Sequence, residues 1–329
     1  MPCLPSDMIG MEEISPLNGS PLVLVDAASP SVHCDGAGVR VAIDRNGDLP
    51  EIDPSHFDAM VTTRPAAAGP WVSIPRNTLE AKLKRVAAIV EQSPVATAML
   101  ARLLRIQKGV PFESALELES MAYSTLLRGN EYVRWAASAN RKSSGKQADI
   151  PVRYDRSGDV VKLWLSSPDN RNAMTSKMRD ALFEGLVNVL EDPSMPRVEL
   201  RGEGRCFSTG GDLDEFGSAT DLARAHIIRT QRSCARLLYL LGDRASVWLH
   251  GACIGSGIEV PSAASRRIGT RDTIIQLPEL RMGLIPGAGG TVSVGRIIGR
   301  HRMMWLCLGA FRINAKQALD WKLLHEIGP

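Results

Sequence analysis

Hydrophobic residues follow three successive patterns along the chain, and the changes between them divide the sequence into three parts. Residues 1–74 contain short apolar runs separated by proline and glycine, which is typical of strands joined by turns. Residues 75–145 carry apolar positions at intervals of three and four, which predicts amphipathic helices. Residues 150–329 alternate strand-length apolar runs with helical periods, and this order predicts an α/β layered fold.

The first part contains two runs that predict strands, at residues 21–25 and 39–43. Asn46 and Gly47 follow the second run and form a dipeptide that is typical of a turn. None of these residues forms a catalytic motif. We therefore expect residues 1–74 to form a small β-rich segment that caps or edges the rest of the protein.

The second part predicts several helices in succession, interrupted at Ser93-Pro94 and at residues 109–111. Asn77 is the predicted N-cap of the first helix. A series of amphipathic helices indicates a packing or oligomerisation surface. Residues 140–149 have the polar composition of a linker, and we place a boundary there.

In the third part, each predicted strand leads to a helix or to a glycine-rich turn. The predicted elements are a strand at 160–165, a helix capped by Thr175 or Ser176, a strand at 198–200, a helix at 226–241, and strands at 246–249 and 273–276. No glycine run has the spacing of a nucleotide-binding loop after a strand. The pattern therefore disfavours a nucleotide-binding domain.

Composition and charge narrow the class of function. The 329 residues are 44% hydrophobic and 23% charged, which is typical of a globular protein. A net charge of +3 and 5% aromatic residues disfavour a nucleic-acid partner. No apolar run reaches the ~20 residues of a membrane span, and the first ten residues lack the layout of a signal peptide. The six cysteines are widely spaced, so we expect a cytoplasmic protein without disulfide bonds or a metal site.

Two predicted strand-to-helix turns, at residues 206–212 and 254–259, are rich in small residues. Small residues let a ligand approach the main chain closely, and the first N–H groups of a helix have no intrahelical partner. If the two turns face each other, their N–H groups form an oxyanion hole, in which one donor is worth ~3–4 kcal/mol. Taken singly, each glycine run is more often explained by ordinary tight-turn packing.

Two glutamates follow consecutive strand ends. Glu259 lies in the first turn of a predicted helix and Glu279 lies in a loop 20 positions later. Each has an ordinary explanation, since Glu259 suits a helix N-terminus and Glu279 suits a solvated loop. Together they would act as general base and general acid if both loops face one water. Asp212 and His250 are predicted to be structural, and no Ser-His-Asp or Cys-His order is found.

Four segments of the third part carry a specific resemblance. They are NRNAM at 170–174, RCFSTGGDL at 205–213, GACIGSGIE at 251–259 and LPELRMGLIPGAGGT at 277–291. With these segments in this order, residues 160–329 resemble the enoyl-CoA hydratase/isomerase (crotonase) superfamily. The resemblance implies an α/β, crotonase-like spiral of ββα units, with a helical oligomerisation region and an acyl-CoA substrate.

The resemblance also implies roles for individual residues. The N–H groups of Gly211 and Ser256 match the oxyanion hole, and Glu259 and Glu279 match the two glutamates of hydratases that position and activate water. The positions that match main-chain contacts to CoA are Asn172, Ala173, Met174, Gly210, Asp212 and Leu213. The resemblance implies no metal and no cofactor beyond the CoA thioester substrate, no nucleic-acid or membrane partner, and a homotrimer or hexamer.

Retention of both glutamates favours an enoyl-CoA hydratase, because many relatives keep one of them or neither. An isomerase or a thioester hydrolase on the same fold is the alternative enzyme, and a non-catalytic acyl-CoA-binding protein is the alternative outside enzymes. Ser256 stands where the family usually has glycine, and Pro261 follows Glu259 by two positions. These departures leave the shape of the acyl pocket unpredicted.

Residues 87–96 and 111–119 resemble the family's C-terminal helices, which usually follow a motif like that at residues 313–327. In this chain they precede the core. We therefore expect a circular permutation in which the helices cover the site from the N-terminal side or dock on a neighbouring subunit. The alternative is an unrelated helical domain beside the core.

Overall fold

The computed structural model of the protein describes residues 15–17, 21–29, 38–139 and 146–328. The first ten residues and the linker residues 140–145, on which two of the expectations rest, lie outside these ranges. Within the described ranges, no helix combines the length and the apolar composition that crossing a bilayer requires.

The N-terminal part forms a four-stranded sheet in which all neighbours are parallel. Its strands, in spatial order, are β1 (Leu22–Asp26), β2 (Val39–Asp44), β3 (Ala59–Thr62) and β4 (Val72–Ser73). The Asp44 carboxylate accepts the main-chain N–H groups of Gly47, Asp48 and Leu49, and these bonds form the turn that the Asn-Gly dipeptide predicts. Because parallel strands need a crossover, this turn leads the chain away from β2.

Four helices follow the sheet: α1 (Arg76–Gln92), α2 (Pro94–Ile106), α3 (Phe112–Leu126) and α4 (Asn130–Ser138). The prediction that Asn77 caps α1 is wrong. The N–H and the hydroxyl of Thr78 both donate to the carbonyl oxygen of Pro75, so the first turn closes before Asn77 can act as a cap. The break at Ser93-Pro94 is present, with Pro94 at the first position of α2, where its missing N–H costs nothing.

Two further sheets form the core of the third part. Their strands are β5 (Val152–Ser157), β6 (Val160–Leu165), β7 (Arg197–Gly202), β8 (Ala245–Leu249), β9 (Ala252–Ile254), β10 (Arg266–Gly269), β11 (Ile274–Gln276), β12 (Arg312–Asn314) and β13 (Glu326–Ile327). The larger sheet has the order β13-β10-β8-β7-β6-β5, and the smaller has the order β12-β11-β9. Only the edge strands β5 and β12 run antiparallel to their neighbours, so both sheets are otherwise parallel.

Seven helices connect these strands in the described part of the chain. They are α5 (Ser176–Glu191), α6 (Leu222–Gln231), α7 (Cys234–Leu241), α8 (Ser256–Glu259), α9 (Gly290–Ile298), α10 (Arg300–Leu308) and α11 (Ala315–Asp320). Thr175 caps α5, as predicted, by accepting the N–H of Met178. The single helix predicted at 226–241 is wrong, because Ser233 accepts the N–H of Arg236 and begins a separate helix, α7.

One hydrophobic cluster joins all three parts. It includes Val61 of β3, Leu116 of α3 and Met303 of α10, together with the inner faces of the larger sheet. A smaller cluster that contains Met60 and Trp71 covers the opposite face of the N-terminal sheet. The helices α1–α4 therefore pack on the α/β core of their own chain.

Candidate active site

The two segments predicted to contact CoA lie side by side. The N–H of Met174 donates to the carbonyl oxygen of Gly210 at 2.7 Å, and the N–H of Asp212 donates to that of Met174 at 3.4 Å. The fully buried Asn172 amide anchors its loop by donating to three carbonyl oxygens of residues 203–207. Leu213, the last of the six residues predicted to contact CoA, is 42% exposed. The edge of the two paired segments at Leu213 therefore faces solvent.

The turn after residue 206 also contacts β9, directly before the turn that begins α8. The N–H of Ser208 donates to the carbonyl oxygen of Ala252 at 3.2 Å, and the N–H of Ile254 donates to that of Ser208 at 3.1 Å. Gly210 has φ 90°, and a Cβ there would stand 2.6 Å from the Ile254 carbonyl oxygen. Glycine at this position is therefore required both by the backbone conformation and by the close approach of the second turn.

Gly211 and Ser256 come directly after Gly210 and Gly255 in the two turns. A Cβ at Gly255 would stand 3.9 Å from the Cα of Gly210, so the two turns touch. Among the described residues, the main-chain N–H of neither Gly211 nor Ser256 has an acceptor. Two unpaired N–H groups on adjacent turns are suited to bind one carbonyl oxygen.

Glu259 and Glu279 lie on the same side of Gly255. Their residues are 3% and 6% exposed, respectively. A Cβ at Gly255 would stand 2.8 Å from Oε1 of Glu279 and 3.9 Å from Oε1 of Glu259. The explanation of Glu279 as a solvated loop residue is wrong, because residues 279–282 form a short 3₁₀ helix that turns Glu279 inward.

The two carboxylates have different hydrogen bonds. Oε2 of Glu259 accepts the N–H of Ala288 at 2.7 Å and that of Gly290 at 3.0 Å. Oε2 of Glu279 and Oγ of Ser256 are buried and have no hydrogen-bond partner in the described structure. N–H donors stabilise the ionised form of a carboxyl group, so the two donors favour an ionised Glu259. Because Oε2 of Glu279 has no such donor, Glu279 is the better site for a proton.

Burial raises the pKa of both carboxyl groups. It raises the pKa of Glu279 to about 8. The pKa of Glu259 also lies well above its ordinary value because of burial and the neighbouring Glu279 carboxyl. Two like charges so close and so buried disfavour double ionisation, so the pair favours one shared proton over a wide pH range.

A third carboxylate, Glu119 of α3, contacts the same loop and was not predicted as a site residue. It is 1% exposed. Its Oε1 accepts the N–H of Gly289 at 2.6 Å, and its Oε2 accepts the N–H and the hydroxyl of Thr291 at 2.8 and 2.5 Å. The sequence contains a signal for it, since Glu119 lies at helical spacing between Leu116 and Tyr123 on the apolar face of α3.

A cavity of about 90 Å³ opens beside this loop. Its walls include Met174, Val260 and Ala288, together with Glu119 and three arginines. One of these, Arg229, stacks over the Tyr123 ring at 4.6 Å and donates to the hydroxyl groups of Ser120 and Ser124. The cavity thus connects a predicted CoA-contact segment with the loop that holds Glu259.

The residues predicted to be structural have local partners. The His250 ring nitrogen lies 3.1 Å from the carbonyl oxygen of Gly204, and the Asp212 carboxylate accepts the N–H of Asp214. Cys253 is fully buried in the middle of β9. In the part of the chain that the structure describes, no three His, Cys, Asp or Glu side chains are grouped to hold a metal ion.

Pro261 explains the shortness of the helix that carries Glu259. The helix α8 has four residues, and Pro261 then begins a separate 3₁₀ turn that ends at Ala263. A proline beyond the first turn would remove a helical hydrogen bond and clash with the preceding turn. Glu259 therefore stands at the end of a single helical turn.

Comparison with known proteins gives the same picture for the third part. The sequence profile described as "Enoyl-CoA hydratase/isomerase" matches residues 155–329. An enoyl-CoA isomerase/hydratase of Mycosarcoma maydis is 30% identical over 179 residues, which are 52% of this chain and 65% of that protein. A probable enoyl-CoA hydratase of Bacillus subtilis is 32% identical over 167 residues, which are 50% of this chain and 64% of that protein. The chain thus spans somewhat less than two thirds of the length of either relative.

Solved structures support the fold. An enoyl-CoA hydratase from Thermoplasma volcanium superposes with a TM-score of 0.50 and 27% identity, covering 55% of this chain and 72% of that one. An enoyl-CoA hydratase from Bacillus anthracis gives a TM-score of 0.50 and 26% identity, covering 54% of this chain and 70% of that one. The predicted crotonase-like α/β fold is therefore confirmed.

Proposed function

Because the chain belongs to the enoyl-CoA hydratase/isomerase family, we propose that it is an enoyl-CoA hydratase that adds water across the 2,3 double bond of an enoyl-CoA. The observation that carries the proposal is the pair of buried carboxyl groups, Glu259 and Glu279, that face Gly255. Beside them lie the N–H groups of Gly211 and Ser256, which have no acceptor among the described residues. Hydration requires one base and one acid, and a pair that shares one proton supplies both.

In the proposed reaction, the N–H groups of Gly211 and Ser256 bind the thioester carbonyl oxygen and stabilise the enolate that forms. Glu259 takes a proton from water while the water oxygen bonds to C3, and Glu279 gives its proton to C2. The product is a 3-hydroxyacyl-CoA, and exchange with solvent returns the proton from Glu259 to Glu279. The reaction is redox-neutral and both proton transfers have a carboxyl group, so the proposal requires no metal or redox cofactor.

We assign the CoA moiety to the paired segments formed by Asn172, Ala173 and Met174 and by residues 210–213, because their edge faces solvent. We assign the acyl group to the cavity beside Val260. An apolar cavity of roughly 150 Å³ holds one benzene molecule. A cavity of about 90 Å³ therefore favours an acyl group of few carbons over a long or aromatic one.

The proposal is tested by following the absorbance of crotonyl-CoA and of an aryl-enoyl-CoA after addition of the purified protein. We expect loss of the enoyl absorbance, faster with crotonyl-CoA, and a product heavier by one water. Absence of hydration with both thioesters despite measurable CoA-ester binding would contradict it. Conversion of a 3-enoyl-CoA to its 2-enoyl isomer would then identify an isomerase, and release of free CoA would identify a hydrolase. The absence of both reactions would indicate a non-catalytic binder.

Replacing Ser256 by proline should lower kcat by ~10²–10³-fold, because it removes one oxyanion donor. Proline is tolerated at the first position of a helix, which Ser256 occupies in α8, so the fold should persist. The rate with crotonyl-CoA and the thermal unfolding midpoint check this. The matched control is Ser256→Ala, which keeps the N–H and should stay close to the unmodified protein. Equal loss in both variants would mean that the hydroxyl, and not the N–H, is required.

We further propose that the chain is a circularly permuted member of its family and a cytoplasmic homotrimer or hexamer. Two observations support the permutation: α1–α4 share a hydrophobic cluster with the core, and Glu119 of α3 bonds to the loop at residues 289–291. Light scattering of the full chain tests the oligomeric state, and a monomer would contradict it.

Under the permutation, a fragment of residues 146–328 should lack hydratase activity, because it loses Glu119 and exposes the apolar surface beneath α3. Addition of a second fragment, residues 21–139, should restore part of the activity. Circular dichroism and the crotonyl-CoA assay check both outcomes. If residues 146–328 alone were folded and fully active, the helices would be an unrelated domain.

A further inference from the structure

We propose that Glu119 is a positioning residue of the site: its carboxylate holds the loop at residues 287–291 in the register that presents two N–H groups to Glu259. The proposal deepens the hydratase function and rests on it for its kinetic test. In this proposal Glu119 acts on the reaction through Glu259, although its side chain also forms part of the wall of the cavity assigned to the acyl group.

The main-chain N–H groups of residues 288–291 alternate between two carboxylates. Those of residues 288 and 290 donate to Oε2 of Glu259. Those of residues 289 and 291 donate to the two oxygens of Glu119. The loop is therefore clamped from opposite sides, and it cannot shift toward one carboxylate without lengthening its bonds to the other.

Packing leaves this loop little freedom to hold its shape in another way. A Cβ at Gly290 would stand 2.6 Å from Cγ of Glu259, and a Cβ at Gly287 would collide with the Tyr123 ring. Gly290 thus packs closely against α8, and Gly287 packs closely against α3. The close packing leaves no room for a side chain at either position, and the hydrogen bonds to the two carboxylates fix the main-chain N–H groups of residues 288–291.

Glu119 is an unusual residue for a purely packed position. A fully buried carboxylate is costly unless donors satisfy it, and here all three of its donors come from Gly289 and Thr291. An apolar residue would fill the same space on the apolar face of α3 without that cost. Its conspicuous link to the loop, and to nothing else by hydrogen bond in the described structure, points to a role in the geometry of the site.

Glu119 also changes the electrostatics of the pair. The ionisable groups that interact with it electrostatically are Arg229 of α6, Glu259 of α8, Glu279 and Cys307 of α10. Burial raises the pKa of Glu119 to about 7, although the hydrogen bonds from Thr291 and Gly289 and the charge of Arg229 act to lower it. The Glu119 charge in turn raises the pKa of both Glu259 and Glu279. Loss of that charge should therefore lower the pKa of Glu279.

Two variants separate position from charge. Glu119→Asp keeps the charge but is too short to reach both Gly289 and Thr291. We expect kcat for crotonyl-CoA to fall by about 10²-fold, the effect of a misplacement near 1 Å, with KM little changed and the alkaline limb of the pH profile unmoved. Glu119→Gln should lose a similar factor, and its alkaline limb should in addition shift to lower pH.

The matched control is Glu113→Gln on the same helix, whose side chain is 58% exposed. It should change neither kcat nor the pH profile. Should the Glu119 variants fail to fold, Thr291→Val supplies a milder test. It removes the hydroxyl donor to Glu119, and with it the acceptor of the Gln107 side-chain amide, but keeps the main-chain N–H that donates to Glu119. It should lower kcat in the same direction by a smaller factor. Unchanged kcat in a folded Glu119→Asp, or in Thr291→Val where that variant alone folds, would overturn the proposal.

A readout that needs no turnover keeps this test apart from that of the hydratase function. In protein labelled with ¹³C at glutamate carboxyl carbons, the pKa of Glu259 should rise in Glu119→Asp, because Glu259 loses N–H donors while the Glu119 charge is kept. If the pKa of Glu259 rises in Glu119→Asp but the unmodified protein hydrates no enoyl-CoA, the positioning role is retained and the hydratase function is rejected. An unmoved Glu259 titration beside normal hydration would reject the positioning role alone.

Discussion

Replacement of Glu279 by glutamine should lower kcat for crotonyl-CoA hydration by ~10²–10⁴-fold, the usual contribution of a general acid. Glutamine has the same shape but cannot give a proton to C2. The fold should be unaffected, because Oε2 of Glu279 has no hydrogen-bond partner among the described residues that the amide would disturb. Enoyl absorbance and the thermal unfolding midpoint measure the two effects.

The same residue predicts the alkaline limb of the pH profile. Burial raises the pKa of Glu279 to about 8, so it holds its proton at neutral pH and loses it as the pH rises through that value. Hydration by the unmodified protein should therefore decline above about pH 8, and the residual activity of Glu279→Gln should lack this decline. Glu91→Gln, an exposed change on α1, serves as the control. A fast Glu279→Gln enzyme with an unaltered profile would exclude Glu279 as the acid.

Replacement of Glu259 by glutamine should cause a loss of similar size, ~10²–10⁴-fold in kcat, because the amide cannot take a proton from water. Its carbonyl oxygen can still accept the N–H groups of Ala288 and Gly290, so the loop should keep its position. The crotonyl-CoA rate is again the measurement, with retained CoA-ester binding as evidence that the site is intact.

The two replacements together separate hydration from other chemistry on this fold. A hydratase needs both carboxyl groups, so each single replacement should be severe. An isomerase moves one proton between two carbons, so its rate should depend chiefly on one of the two carboxyl groups. A variant at either position that keeps hydration within a factor of about ten would contradict the assignment of base to Glu259 and acid to Glu279.

Sequence reasoning reaches the parts of the site that are built from local segments. The glycine-rich turns, the helix start at Ser256 and the strands before them are short stretches whose residue types restrict the backbone directly. The order of the four family-like segments selects Glu259 and Glu279 over their ordinary explanations. The structure adds that both carboxyl groups lie beside Gly255. It also shows that Oε2 of Glu259 accepts two N–H groups, whereas Oε2 of Glu279 has no partner among the described residues.

Sequence patterns do not reveal features that depend on contacts between distant segments, or strands whose side chains are mostly exposed. Glu119 meets its partners across 170 and 172 positions, and no local pattern states which loop an isolated glutamate on an apolar helix face will contact. The strand β5 escapes prediction because its side chains are mostly exposed and lack alternation. The split between α6 and α7 depends on one serine cap that competes with a continuous helical period.

The clamp around residues 287–291 has a consequence for the order in which the protein is made. Synthesis proceeds from the N-terminus, so Glu119 leaves the ribosome about 170 residues before the N–H groups that satisfy it. Until then α3 presents a carboxylate in the middle of an apolar face, and water is its only donor. The nascent helices therefore cannot complete their packing around Glu119 until residues 289–291 have been synthesised.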